Sequence, residues 1–199
     1  MKNREAAWLE AAKHGDDDAF SNLVVLYQKP VFNLCYRMLG NADDADDAAQ
    51  ETFFKAYKSL GRYDQRRSFA TWLLSIASHH CIDLLRKKRL QSISIDDDAY
   101  SWMEPRDPEI LPEALMIRKE KQAQVQELLA CLSPQDRAAV ILHYWYGYSY
   151  KEIGETLSLT VSAVKSRLHR ARGELAGVWK QTRFDKVSLE RRRNESPAF

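Results

Sequence analysis

The chain is poor in the residues that make turns, clips and membrane spans. Only seven glycines and six prolines occur in 199 residues, and they fall outside the long periodic stretches. A turn-rich β protein needs more of both, so helices are favoured. The three cysteines, Cys35, Cys81 and Cys131, are widely spaced and form no CxxC pair. That speaks against a disulfide scaffold and fits reduced, buried thiols in a cytosolic protein. The opening MKNREAAWLEAAKHGDDDAF lacks the apolar core of a signal peptide. No apolar run approaches the roughly 18 residues of a membrane-spanning helix, so no direct membrane insertion is expected and the chain reads as soluble and cytoplasmic.

Catalytic equipment is also missing. There is no glycine loop to cradle a phosphate, no Ser/His/Asp set and no zinc-spaced cysteine pair. The one metal-like cluster, His79-His80-Cys81-Asp83, has its neighbours on one helix, where adjacent side chains point about 100° apart. Ligand pairs on a helix need i,i+3 or i,i+4 spacing. The expectation is a protein that is not an enzyme and holds no cofactor or metal.

What is present is segregated charge. Net charge is only +2 and 45% of residues are hydrophobic, so a core is affordable. Asp43 to Glu51 holds five acids and no base, while Arg86 to Arg89 is four bases in a row. Lys165 to Arg172 carries Lys165, Arg167, Arg170 and Arg172 with no acid. A solvated face accounts for any single run. Two basic clusters in two separate blocks point to a polyanionic partner.

The periodicity divides the chain. Over 5–90, Leu23, Tyr27, Val31, Leu34 and Met38 make a helical stripe, with Pro30 a candidate kink. A second helix follows from Ala42 to Leu60, and Gly61 to Ser68 is a polar loop. Thr71 to Arg89 is a third helix, with Trp72, Ile76 and Leu84 expected on its apolar side. Residues 91–112 contain three prolines and a run of Asp, and read as an acidic linker. The second block, 113–178, holds a helix to Leu132 and a strong start at Ser133-Pro134 with Asp136 three residues after the cap. Gly147 stops that helix. Residues 179–199 read as a basic, flexible tail. The fold class is therefore all-α: two small helical domains joined by an acidic linker.

The stretch SYKEIGETLSLTVSAVKSRLHRAR opens on a capping box, Ser149 with Glu152. Thr160 can cap the helix after the turn. Ile153 and Leu157 from the first helix face Val164 and Leu168 from the second, and Gly154 is small enough for a close crossing. That is a helix-turn-helix. Such a unit lays its second helix in the major groove. Ser162, Lys165, Ser166, Arg167 and Arg170 are the expected contacts, since Lys and Arg pair with guanine acceptors or phosphates and Ser with either. An ordinary helical hairpin with a basic outer face is the competing reading of this segment.

LSPQDRAAVILHYWYGYSYKEIGETLSLTVSAVKSRLHRAR resembles region 4 of the sigma-70 family of bacterial RNA polymerase initiation factors. DDADDAAQETFFKAYKSLGRYDQRRSFATWLLSIASHHCIDLLRKKR resembles region 2. Their order and the short chain resemble the extracytoplasmic-function group. The resemblance implies a factor that binds core RNA polymerase and brings it to promoter DNA. It implies that domain four reads the minus-thirty-five element, and that domain two reads and melts the minus-ten element. It implies polymerase docking by the DxxQE stretch, carried to Asp47, Gln50 and Glu51. On the minus-ten side it implies His79, Asp83, Arg86 and Lys87, with Ser75 and Ser78, on the third helix. A flipped base would sit against Tyr63, Asp64, Gln65 and Arg67, which could supply edge contacts and a stacking surface. Ser78-His79 stands where family members often carry a basic residue and Asn, which puts the preferred minus-ten bases in question. A cognate anti-sigma factor is a further implied partner.

Two other readings stay open on the residues alone. One is a stand-alone helix-turn-helix regulator with 5–90 as a sensor or dimer domain. The other is a helical adaptor with no DNA contact.

Overall fold

In the computed structural model, backbone is described for residues 2–94 and 113–195, and side chains for 4–91 and 120–181. Every regular element among them is helical. The linker expected over 91–112 lies outside the described residues from position 95 on.

Helices α1 (Lys2–Lys13), α2 (Asp17–Leu39), α3 (Ala42–Ser59) and α4 (Phe69–Ser94) build the first block. Local chemistry sets their ends. The Asp16 carboxylate accepts from the Ala19 N–H at the start of α2. Gly40, at φ 81°, closes α2 in the left-handed region that glycine enters without steric cost. Asn41 then caps α3 by accepting from the Asp43 and Asp44 N–H groups. Acids at that N-terminus meet the positive end of the helix dipole, which offsets part of their mutual repulsion. Pro30 does not split α2, which runs unbroken across it. A short 3₁₀ turn, Leu60–Arg62, leads into the loop before α4.

The α4 stripe is offset from the expected one. Leu73, Leu74, Ala77, Cys81 and Ile82 are buried, while Trp72, Ile76 and Leu84 are only half-buried at the rim. Ser78 thereby falls inside, fully buried, with no hydrogen-bond partner for Oγ among the described residues. It is corrected from a DNA-facing candidate to a core position.

The second block comprises α5 (Glu113–Ala130), α6 (Pro134–Tyr146), α7 (Tyr150–Leu157) and α8 (Val161–Glu195). Ser133 caps α6 with Pro134 in the first turn, and Gly147 ends it at φ 66°. Helix α8 continues to Glu195, well past the end near Val178 that periodicity predicts.

The two blocks share one continuous buried cluster. Helix α6 packs on α2 and α4, and α7 packs on α4. The seam is also hydrogen-bonded. Arg137 Nη1 donates to the Met38 carbonyl at 2.6 Å, and its Nη2 to the Ala130 carbonyl at 2.9 Å. Gln126 donates to the Tyr36 carbonyl at 3.2 Å and the Tyr146 hydroxyl to the Pro30 carbonyl at 2.5 Å.

Candidate nucleic-acid interface

The α7–turn–α8 unit is built as the sequence implies. Ser149 Oγ accepts from the Glu152 N–H, and the Glu152 carboxylate accepts from the Ser149 N–H at 2.8 Å. The Ser149 hydroxyl also donates to that carboxylate at 2.7 Å, and this bond first, with the Ser149 N–H second, holds the Glu152 carboxyl below its usual range. Ser158 adopts φ 55°, the only left-handed non-glycine among the described residues, and its neighbour Leu159 donates to the Gly154 carbonyl at 2.8 Å. A β-carbon on Gly154 would lie 2.7 Å from the Leu159 carbonyl oxygen, so the turn crosses α7 at a distance only glycine permits. Thr160 Oγ1 accepts from the Ala163 N–H and caps α8. Ile153, Leu157, Val164 and Leu168 are buried between the helices.

Ser162, Lys165, Ser166 and Arg170 lie exposed on α8, as expected. Arg167 does not. It is half-buried, its Nη1 donating to Asp136 Oδ1 at 2.8 Å and its Nη2 to Gln135 Oε1. It follows Val164 by three residues and precedes Leu168 by one, so it stands beside the buried stripe, where α6 offers a carboxylate. Arg167 is corrected from an outward-facing base contact to an inward ion pair.

On α4, His79, Asp83, Arg86 and Lys87 are exposed along one side. Asp83 sits 3.9 Å from Arg86, and Lys88 pairs with Asp44 of α3 at 2.7 Å. Behind them, His80 Nδ1 lies 2.9 Å from Lys55 Nζ. Burial, with the Lys55 charge next, lowers the His80 pKa. The basic run therefore leaves Arg86 and Lys87 free of strong partners, as phosphate contacts require.

The loop before α4 splits. Asp64, Gln65 and Arg67 are exposed. Tyr63 is only 7% exposed, its ring edge-on to Phe69 at 5.6 Å and tilted against Trp72 at 5.0 Å. Its hydroxyl donates to the Arg67 carbonyl at 2.6 Å. Tyr63 is corrected from an open stacking surface to the residue that pins the loop to the core, because an aromatic ring between Phe69 and Trp72 is better buried than wet. Trp72 belongs to the same cluster, as its place on the apolar side implies.

On α3, Asp47 and Gln50 are exposed and Glu51 is half-exposed, 3.5 Å from Lys55. Sequence reasoning missed what lies beside them. A groove of about 430 Å³ between α2 and α3 is lined by Val24, Phe32, Ala49 and Phe53, with Asp46 and Gln50 at its edge. Phe54, 52% exposed, carries Lys58 Nζ 3.9 Å above its ring. The signal was present as Val24 and Phe32 off the main α2 stripe, but nothing in one sequence says that such residues stay uncovered.

The sigma-70 region 2 profile matches residues 23–91, and the sigma-70 region 4 profile matches residues 122–175. The ECF RNA polymerase sigma factor SigW of Bacillus subtilis is 35% identical over 172 residues, covering 84% of this chain and 92% of SigW. The chain belongs to the sigma-70 family, in its extracytoplasmic-function group. It is a transcription initiation factor that binds core RNA polymerase and directs it to promoter DNA. Among solved structures, CnrH in complex with the cytosolic domain of CnrY is similar at TM-score 0.67 and 24% identity, covering 89% of this chain and 98% of CnrH. The sigma factor RpoE of Bartonella quintana, in complex with the anti-sigma factor NepR, is similar at TM-score 0.63 and 21% identity, covering 81% and 96%. Both likenesses bear on the fold. No described helix of this sigma factor is long and apolar enough to cross a membrane.

Proposed function

We propose a division of labour among three surfaces of this sigma factor. Helix α8 reads the minus-thirty-five element through Ser162, Lys165, Ser166 and Arg170. The outer side of α4, through His79, Asp83, Arg86 and Lys87, with loop residues Asp64, Gln65 and Arg67, reads and melts the minus-ten element. Asp47, Gln50 and Glu51 dock on core polymerase, with the apolar groove of Val24, Phe32 and Phe53 as the hydrophobic half of that contact. The domains follow the two matched regions, 5–90 and 113–178, with 91–112 as linker and 179–199 as a basic tail. The protein acts by binding and not by catalysis, and works in the cytoplasm, where the polymerase is.

One observation carries this reading. Two basic helix faces and an acid-and-amide stripe are exposed in the same chain, each free of the core that holds it. A stand-alone regulator needs the α8 face but neither the α4 face nor the α3 stripe, so that alternative is not favoured. An anti-sigma factor as a regulatory partner is supported by the likeness to RpoE, whose solved complex contains one.

Affinity for DNA alone is expected to be modest, because each small block offers few phosphate contacts and nearby acids oppose binding. Polymerase supplies the rest by holding both blocks at once. The test is co-elution of the full chain with core RNA polymerase on a sizing column, beside a Gln50→Ala/Glu51→Lys double variant. Stoichiometric co-elution that the variant loses supports the docking assignment. Equal co-elution of both overturns it.

A further inference from the structure

The orientation of α8 selects its readers more narrowly than its charge does. At 100° per residue, the buried Val164, Leu168 and Ala171 fix the inward direction of the helix. Measured from their mean, Ser162, Ser166 and Gly173 fall on the opposite face, His169 and Arg170 lie about 50° to either side of it, and Lys165 stands at its edge. Arg167 falls within about one residue step of the inward direction, and its guanidinium is held there by Asp136 and Gln135 of α6. Asp136 is itself 6% exposed and also accepts from the Ser133 hydroxyl at 2.7 Å, so this carboxylate is fixed before it meets Arg167.

His169 is the polar side chain that completes the outward face. It is exposed, one turn beyond Ser166 and two beyond Ser162. Ser166 spends its hydroxyl proton on the Ser162 carbonyl at 3.1 Å, which leaves that side chain an acceptor toward the groove. An imidazole at the next turn offers one donor and one acceptor in its neutral form. Its donor suits guanine N7 or O6, adenine N7, thymine O4 or a phosphate oxygen, and its acceptor suits an exocyclic amine.

We propose that His169 is a specificity-determining base contact of the minus-thirty-five reader, and that Arg167 is a positioning residue that sets the angle of α8 through Asp136. The proposal rests on the assignment of α8 to that element. His169 discriminates at one or two adjacent base pairs. Arg167 acts on all sequences alike, because what it holds is the helix and not a base.

The experiment uses holoenzyme reconstituted from core polymerase and the full chain. The probe is a duplex library randomised across both promoter elements, and the transcribed templates are sequenced. His169→Ala and His169→Gln are expected to flatten preference roughly fivefold at one or two minus-thirty-five positions, the worth of one good hydrogen bond, and to leave minus-ten preferences unchanged. Arg167→Ala and Asp136→Asn are expected to lower transcription uniformly, to resemble each other, and to be non-additive when combined. Lys165→Ala serves as the control on the parent assignment. If Lys165→Ala and His169→Ala both leave the minus-thirty-five preferences intact, α8 is not the reader. If Lys165→Ala alters them and His169→Ala does not, the assignment of His169 is overturned. If Arg167→Ala erases preference at one position while Asp136→Asn does not, Arg167 is a reader and the positioning role is overturned. Thermal melts of each variant separate unfolding from a change in reading.

Discussion

The guanidinium of Arg137 reaches from α6 across the seam and donates to the carbonyl of Met38, 2.6 Å away at the C-terminal end of α2. Its other nitrogen takes the Ala130 carbonyl at the end of α5. One cation thus satisfies the orphan carbonyls of two helix ends and sits favourably at both dipoles. Arg137 is 7% exposed, and burial lowers its pKa to about 10, still far above neutrality, so it stays charged. The Nε of Arg137 and the hydroxyls of Ser78 and Tyr148 are the buried side-chain atoms without partners among the described residues. Arg137 and Tyr148 belong to the second block and Ser78 to α4, against which that block packs.

A seam with unpaired polar atoms is stable but can part, since water satisfies those groups once it opens. Promoter elements centred about 25 base pairs apart lie roughly 85 Å from each other at 3.4 Å per pair. On the proposed assignment of α8 to one element and α4 to the other, two blocks that share a core cannot touch both, and the seam is expected to open for promoter engagement. Arg137→Met is expected to cost about 2–4 kcal/mol by leaving two buried carbonyls unpaired. It is also expected to lengthen the distance between dyes placed at Ser21 and Ser162 in a Cys131→Ser background. Unchanged unfolding midpoint and dye distance would show that the latch carries no load.

The residues that the sequence made legible, and those it hid, divide along one line. Caps and turns were readable because their chemistry is local: Ser133 with Asp136, Ser149 with Glu152, Gly147, Thr160. The helix-turn-helix contact was readable because Ile153, Leu157, Val164 and Leu168 repeat at helical spacing. Tyr63, Ser78 and Arg167 were misplaced because contacts outside their own segment decide their burial: Tyr63 sits in a loop that folds back on α4, Ser78 on the side of α4 that other helices cover, and Arg167 beside the buried stripe of α8. For Tyr63 that decision is made by Phe69 and Trp72, for Arg167 by Asp136 some thirty residues away in sequence. The seam was unreadable for the same reason. Arg137 and Met38 are linked by nothing in composition or period, and the shared core follows only once α6 is laid against α2.

Gly154 tests how tightly the turn is built. Gly154→Ala places a methyl 2.7 Å from a backbone oxygen that cannot rotate away. The expected loss is about 1–3 kcal/mol of stability, with DNA affinity falling further because the angle between α7 and α8 opens. Gly173→Ala is the counterpart, since nothing lies within 4 Å of its added carbon. Removing a mid-helix glycine there is expected to gain about 0.5–1 kcal/mol. Chemical unfolding of both variants measures the contrast. Equal effects would mean the close approach is not what requires glycine at 154.

The capping box of α7 has a pH signature. Ser149→Ala is expected to cost about 1 kcal/mol by removing one cap bond. Glu152 has its carboxyl held below the usual range by the Ser149 hydroxyl first and the Ser149 N–H second. The folded state therefore prefers the ionised carboxylate. Its contribution is present at neutral pH and is lost as the pH falls below the ordinary glutamate range and through the lowered value. The gap in stability between wild type and Glu152→Gln should accordingly shrink between pH 7 and strongly acid conditions. A gap that stays constant would mean the carboxylate charge adds nothing to the cap.

His80 is expected to dominate the pH response nearer neutrality. Its pKa is lowered by burial and then by Lys55, 2.9 Å away, with Lys87 adding to the effect and Glu51 and Asp83 opposing it. The unfolded chain therefore takes up a proton at a pH where the folded chain resists it. Stability is flat above the ordinary histidine value of about 6.5 and declines as the pH falls through that value toward the lowered one. Urea unfolding of the full chain at pH 7.5 and 5.5 reads this directly. His80→Gln should remove most of the decline, because a neutral amide has no proton to gain. Lys55→Met should reduce it, because the larger of the two cationic causes of the lowered pKa is then gone while burial and Lys87 remain. If both variants lose stability on acidification as steeply as the wild type, His80 is not the group that titrates.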